Sequence, residues 1–292
     1  MAGEALDINS RNAQHRALHD CYARCLAEWS LITAGAPFPS QQSTLVAPVT
    51  RADGRPAVIK LVASAEDFSR EVLALAHFDG LAPRLIATSP SANAFLMERI
   101  APGTTLHDTD LSDVDAIAAV ALLMQRIATM STPSARAFPS LMEWFRAIPS
   151  LAAFEHAAAG RELIAATKRV AGELDASSQP HRLLHGDLHH HNVIADGAGW
   201  RLLDPKGVIG DPAYEPAVFI RNRLDADASD DVLCERTRSM VEQFSALLGY
   251  AESRLVAWLV AHCVLSAAWS AEDGEDWQPA MRIASAANVL AR

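Results

Sequence analysis

Positive charge is scarce in this sequence. The 292 residues carry 25 lysines and arginines against 35 aspartates and glutamates, a formal net charge of −10. A nucleic-acid partner needs a basic face, so the balance argues against one. Surplus negative charge around a cleft concentrates cations, which fits a small cationic ligand better. Cysteine is also sparse: Cys21, Cys25, Cys234 and Cys263 are the only four. They form no C-x-x-C pair and no disulfide-dense pattern, and Cys21 and Cys25, one helical turn apart, read as packing residues. A reduced, cytoplasmic protein is expected. Long apolar runs are missing too. The longest, "LVAWLVAHCVLSAAW" at 255–269, is too short to span a bilayer and contains His262, so it predicts a buried helix and no membrane partner. The first twenty residues lack a basic stretch followed by an apolar one, so no secretory signal is expected. There is no internal repeat and no low-complexity segment.

What is present is enough chain for one large domain or two lobes, half of it apolar. Leu18, Tyr22, Cys25 and Trp29 form one stripe of a helix over 14–30. Residues 39–62 change character, with two β-rich runs flanking Asp53-Gly54, a hairpin-turn dipeptide, and Lys60 near the end of the second. Residues 65–80 predict a helix with Phe68, Val72, Leu75 and Ala76 on one face and Gly80 as its stop. Residues 83–103 read as two more strands turned at Ser89–Asn93, and Pro102-Gly103 closes this β-containing part. Helices then dominate, over 113–130, 140–148, 151–174, 213–224, 231–248, 252–270 and 277–291. They are interrupted by an apolar hairpin turned at 196–199. The fold class is α+β and bilobal: a small β-containing N-terminal lobe, 1–100, and a larger, mainly helical lobe, 101–292.

The chemistry concentrates in "HGDLHHHNVIADGAGWRLLDPKG", residues 185–207. Asp187 and Asn192 have the D-x-x-x-x-N spacing of a kinase catalytic loop, and Asp204 ends the strand that follows. Such a loop presents one carboxylate to a hydroxyl and hard oxygen ligands to Mg²⁺. A rival reading takes His185, Asp187, His189 and His191 as ligands of a metal-dependent hydrolase. No second, distant histidine cluster completes that shell, and His189, His190 and His191 individually read as loop or packing residues. Upstream, "PAVIK" ends in Lys60 and "SREVLAL" offers Glu71. A strand lysine held by a helix glutamate is what phosphoryl transfer requires on the nucleotide phosphates.

Taken in order, Lys60, Glu71, "LHGDLHHHN" and "LLDPKG" resemble the aminoglycoside phosphotransferase branch of the protein-kinase-like fold. More narrowly, "ADGRPAVIKL", "LHGDLHHHNV" and "DPKGVIGDPAYEPA" resemble the aminoglycoside 6-phosphotransferase and hydroxyurea-resistance kinase family, which includes streptomycin kinases. The resemblance runs from about residue 25 to about 280. It implies an ATP- or GTP-dependent, Mg²⁺-using kinase for an aminoglycoside hydroxyl, or for hydroxyurea or another small metabolite, with a monomer expected. A catalytically silent nucleotide-binding relative is the further alternative. By this resemblance Asp187 is the catalytic carboxylate, Asn192 and Asp204 hold Mg²⁺, Lys60 contacts nucleotide phosphates and Glu71 positions Lys60. The connector 96–100 would meet the purine through Glu98 or its neighbours. The loop 40–44, which has no G-x-G-x-x-G, would cover the phosphates with Ser43. Gly186 replaces the arginine of H-R-D, so no phosphorylation switch is expected. For a cationic acceptor, Asp211 and Glu215 rank first, with a second acidic cluster from Glu272 to Asp276 between Trp269 and Trp277. Lys206 is either a phosphate or substrate contact or a cover for Asp204.

Overall fold

The computed structural model describes residues 16–40, 43–134, 137–146, 158–177, 180–197 and 199–290. The residues at 151–157 of one expected helix, and Gln41 and Gln42 of the phosphate loop, lie outside them. The chain divides into two compact units. The first is Met1–Gly103 together with Ala195–Leu203; the second is Thr104–Ile194 with Asp204–Arg292.

The first unit is built on a five-stranded antiparallel sheet of order β1-β2-β3-β5-β4. Its strands are β1 (Ile32–Thr33), β2 (Thr44–Thr50), β3 (Pro56–Val62), β4 (Leu85–Ser89) and β5 (Ala94–Glu98). Every residue of β3 after Pro56 is buried, as expected for a central strand covered on both faces. Ala57, Ile59 and Leu61 join a core cluster with Leu18 and Cys25 of helix α1 (described over 16–28). Alternation then turns Val58, Lys60 and Val62 to the opposite face. There lies α2 (Ala65–His77), whose N-cap Ser64 accepts the Asp67 N–H and whose buried side is Phe68, Glu71, Ala74 and Leu75.

A small sheet of order β6-β8-β9 holds β6 (Pro102–Thr105), β8 (Val193–Asp196) and β9 (Gly199–Leu202). The pair β8–β9 is the hairpin expected at 196–199. Where the sequence reading ends the first lobe at 100, Pro102 and Gly103 continue as strand, and residues 195–203 return to the first unit. Leu202 donates to the Leu81 carbonyl at 2.8 Å, and Arg201 binds Glu98 at 2.9 Å and Asp196 at 2.6 Å.

The second unit packs α3 (Asp113–Thr129), α4 (Leu141–Arg146), α5 (Ala158–Asp175), α6 (Glu215–Arg223), α7 (Asp230–Leu248), α8 (Glu252–Glu272) and α9 (Gln278–Leu290). Its centre is α8, which contacts α5, α6, α7 and α9. By length and composition α8 could cross a membrane, but 67% of its apolar window is buried within the fold. It is the buried helix read from 255–269. A two-stranded ribbon, β7 (Arg182–Leu184) with β10 (Val208–Gly210), completes this unit. Both strands have three residues, too few for a period-two signal.

Candidate active site

In the first unit the site residues are Lys60 and Glu71. Lys60 lies opposite Val46 of β2 and Phe95 of β5, so the strand fixes its backbone on both sides. Its Nζ reaches Glu71 Oε1 at 2.7 Å, and the two side chains are only 7% and 10% exposed. A carboxylate this close holds a buried lysine in direction, and either group left alone there would be costly to desolvate. The sequence-predicted pair is therefore formed.

In the second unit, β7 delivers the chain into the 185–192 loop, and its antiparallel partner β10 brings the 204–207 segment alongside. Lys206 and Gly207 N–H both point to the His185 carbonyl, at 2.8 and 3.2 Å. Asp187 and Asp204 thus come from separate segments held by one small ribbon. Gly186 has φ +82, and a Cβ there would stand 2.8 Å from the Trp144 ring. The position where H-R-D loops carry arginine here admits only glycine.

Asp187 and Asp204 are each about one-third exposed, and the Lys206 ammonium bridges them, 3.0 Å from Asp204 Oδ2 and 3.9 Å from Asp187 Oδ2. Asp204 has φ +55, a left-handed conformation that aspartate tolerates better than most residues. Asn192 donates Nδ2 to the Asp187 carbonyl at 2.9 Å. That bond fixes the amide flip and leaves Oδ1 as the free, hard oxygen. Two carboxylates and an amide oxygen, already attracting an ammonium, are the donor set that suits Mg²⁺. The residues present fit that ion.

His185 and His189 do the orienting. The Asp187 N–H donates to His185 Nδ1 at 3.2 Å, and the His191 N–H donates to His189 Nδ1 at the same distance. Burial, followed by neighbouring imidazoles and Lys206, pushes His189 down to about 3, so its ring is neutral at pH 7. Its Nε2 lies 3.3 Å from Asn192 Nδ2 and 3.6 Å from Asp187 Oδ1, so the ring sits between the two residues that define the loop. The histidines between Asp187 and Asn192 are thus not all packing residues. The reading of His185, Asp187, His189 and His191 as one metal shell finds no such cluster among the described residues.

Two expected acceptor-site carboxylates require correction. Asp211 is fully buried, bonded by Arg254 Nε at 2.8 Å, Trp258 Nε1 at 2.6 Å and the Ala213 N–H at 3.1 Å. Its lone pairs are used inside the fold, where it ties α8 to the turn before α6. Glu215 is 1% exposed, and its Oε1 accepts the His185 and Gly186 N–H groups at 2.5 and 3.4 Å. It braces the 185–192 loop from within the fold. Neither can meet a solvent-borne ligand. Tyr214 is likewise core, its hydroxyl 2.7 Å from His262 Nδ1.

Burial pushes the Glu215 carboxyl up to about 7 from an ordinary 4.5, against the two backbone donors. Between those values the folded chain holds a proton that the unfolded chain releases. Stability therefore falls as pH rises from about 4.5 to about 7, by up to roughly 3 kcal/mol from this group. Glu215→Gln, which keeps an acceptor oxygen, should flatten that decline in chemical denaturation curves taken across the window. An unchanged slope would show that Glu215 is ionised throughout.

The remaining predicted residues are accessible. Ser43 is exposed, and its carbonyl accepts the Ala63 N–H at 2.8 Å. Glu98 is committed: its N–H goes to the Arg84 carbonyl at 3.0 Å, and its carboxylate to the Arg84 N–H and Arg201. A purine contact at 96–100 would fall to the neighbouring backbone. Glu272, the last residue of α8, is exposed, as are Asp273, Glu275 and Asp276. One turn before it, Trp269 is 36% exposed and meets Trp144 edge-on at 5.5 Å, beside Gly186. Sequence reasoning missed Trp144, since nothing local links it to the loop. Asp230, in the first turn of α7, is paired with Arg282 at 3.0 Å.

Residues 28–274 match the profile of the aminoglycoside/hydroxyurea antibiotic resistance kinases. The chain belongs to that family. A streptomycin 3''-kinase from Klebsiella pneumoniae is 32% identical, over 91% of this chain and 98% of its own length. A hydroxyurea phosphotransferase from Kitasatospora aureofaciens is 31% identical, over 92% and 78%. A streptomycin 6-kinase from Streptomyces glaucescens is 28% identical, over 85% and 81%. Among solved structures, a thermostable mutant of aminoglycoside phosphotransferase APH(4)-Ia, in complex with ADP and hygromycin B, superposes with TM-score 0.66 at 17% identity. That match covers 92% of this chain and 97% of the other. Choline kinase LicA from Streptococcus pneumoniae gives 0.65 at 14%, over 93% and 99%. As a member of this resistance-kinase family the chain has a protein-kinase-like fold and is a phosphotransferase acting on an alcohol group.

Proposed function

We propose that this resistance kinase transfers the γ-phosphoryl group of ATP (or GTP) to a hydroxyl of a streptomycin-type aminoglycoside, at position 6, in the cytoplasm. The observation that carries the reading is Asp187. It is partly exposed, oriented by His185, His189 and Asn192, and set beside Asp204 and Lys206. Asp187 orients the acceptor hydroxyl and accepts its proton as the new O–P bond forms and the bond from the γ-phosphorus to the bridging oxygen breaks, releasing the nucleoside diphosphate. Lys60, held by Glu71, binds the nucleotide phosphates, and Ser43 sits in the loop that covers them. Asn192 Oδ1 and Asp204 would hold Mg²⁺, which neutralises charge on the transferring group. Positioning and charge neutralisation supply most of the rate, because the loose transition state asks little covalent work of the protein.

A cationic acceptor is supported by the net charge of −10 and by the exposed Glu272–Asp276 cluster next to Trp269. Carboxylates there would bind guanidinium or ammonium groups, and the indole face would add cation–π attraction. The second reading, hydroxyurea as acceptor, is supported by a 31% identical relative of that activity. The test incubates the full chain with ATP, Mg²⁺ and, separately, streptomycin, hygromycin B, hydroxyurea and choline. Mass spectrometry reads addition of one phosphate, and phosphorus–proton correlation spectra place it. Phosphate on the streptomycin 6-hydroxyl is expected. Phosphate at the 3''-hydroxyl would correct the position, and transfer to hydroxyurea alone would replace the reading.

A further inference from the structure

Three imidazoles outside the proposed Mg²⁺ set converge in the second unit. His190 and His191 belong to the loop, and His107 comes from the turn after β6. The His107 N–H donates to the His190 carbonyl at 3.0 Å, so the two backbones are locked together. The ring centroids lie 4.0 Å apart for His107–His191, 4.5 Å for His190–His191 and 5.0 Å for His107–His190. One ligand nitrogen from each ring falls within 4.8 Å of the other two. We propose that His107, His190 and His191 form a binding site for a d-block divalent cation of the zinc type, distinct from the hard-oxygen site at Asn192 and Asp204.

Several independent features support this. His190 is 8% exposed, and its Nδ1 is buried without a hydrogen-bond partner. A polar atom left so usually answers to something absent, since buried imidazole nitrogens are otherwise bonded. His107 and His191 are exposed, so their rings can turn toward a common ion. In a tetrahedral site with Zn–N of about 2.0–2.1 Å the nitrogens stand about 3.4 Å apart, a closure within reach of side-chain rotation. Three imidazole donors with an open fourth position select zinc, cobalt, nickel or copper over magnesium, which prefers oxygen.

The test uses the untagged full chain in excess Mg²⁺, titrated with Co²⁺ and followed by visible absorption, and with Zn²⁺ followed by calorimetry and thermal unfolding. The expected result is one tight site, cobalt bands of a four-coordinate nitrogen–oxygen environment, and a raised unfolding temperature on zinc addition. His107→Ala and His191→Ala change exposed residues and should fold. Each should weaken binding by at least about 10–100-fold, the range that outer-shell changes alone produce. Absence of binding, or binding that survives both substitutions, would overturn the proposal. Neither readout depends on phosphotransfer, so failure here leaves the kinase reading standing.

Discussion

Asp187→Asn should lower turnover by roughly 10²–10⁴-fold and leave nucleotide affinity unchanged. The amide retains the shape of the carboxylate and can still accept from a hydroxyl, but it cannot take the proton. Its neighbours lose little, because the backbone bonds that shape the loop, from Asp187 N–H to His185 and from Asn192 to the Asp187 carbonyl, do not involve the side chain. Steady-state kinetics with a confirmed acceptor, paired with calorimetry for nucleotide, separates the two quantities. Loss of nucleotide affinity with little change in turnover would assign Asp187 to binding instead of proton transfer.

Glu71→Ala should destabilise the chain by about 3–5 kcal/mol, because it strips a close carboxylate from a lysine that is 7% exposed. Stability alone cannot show function, so the informative variant is the double substitution Lys60→Met with Glu71→Met. Two apolar side chains of similar volume replace a buried ion pair at little or no cost. Denaturation curves should therefore return near the native midpoint while phosphotransfer stays lost. A double variant that folds and retains activity would show that the pair serves only the sheet.

Much of this arrangement can be read before any coordinates are known. Lys60, Glu71, Asp187, Asn192 and Asp204 announce themselves by order and spacing, and the long helices of the second unit by their period. The roles of Asp211 and Glu215 cannot be read that way. Acidic residues just after Asp204 look like surface carboxylates until Arg254 and Trp258 arrive from α8, and the His185 and Gly186 N–H groups from the loop, to bury them. Strands β7 and β10 are too short to show alternation, yet they set Asp187 beside Asp204. The hairpin at 195–203 is tied to the rest of the first unit by the Arg201–Glu98 ion pair and the Leu202–Leu81 backbone bond, which no local pattern predicts. The cluster that includes His107 has the same origin: His107 is remote in sequence from His190 and His191, and its N–H bond to the His190 carbonyl brings it to them.

The most direct measurement of the central claim is a crystal structure of the chain with magnesium and a non-hydrolysable ATP analogue. The account predicts Lys60 Nζ against the nucleotide phosphates, with an ion held by Asn192 Oδ1 and Asp204 between those phosphates and Asp187. A nucleotide bound away from Lys60, or an ion that ignores both Asn192 and Asp204, would contradict it.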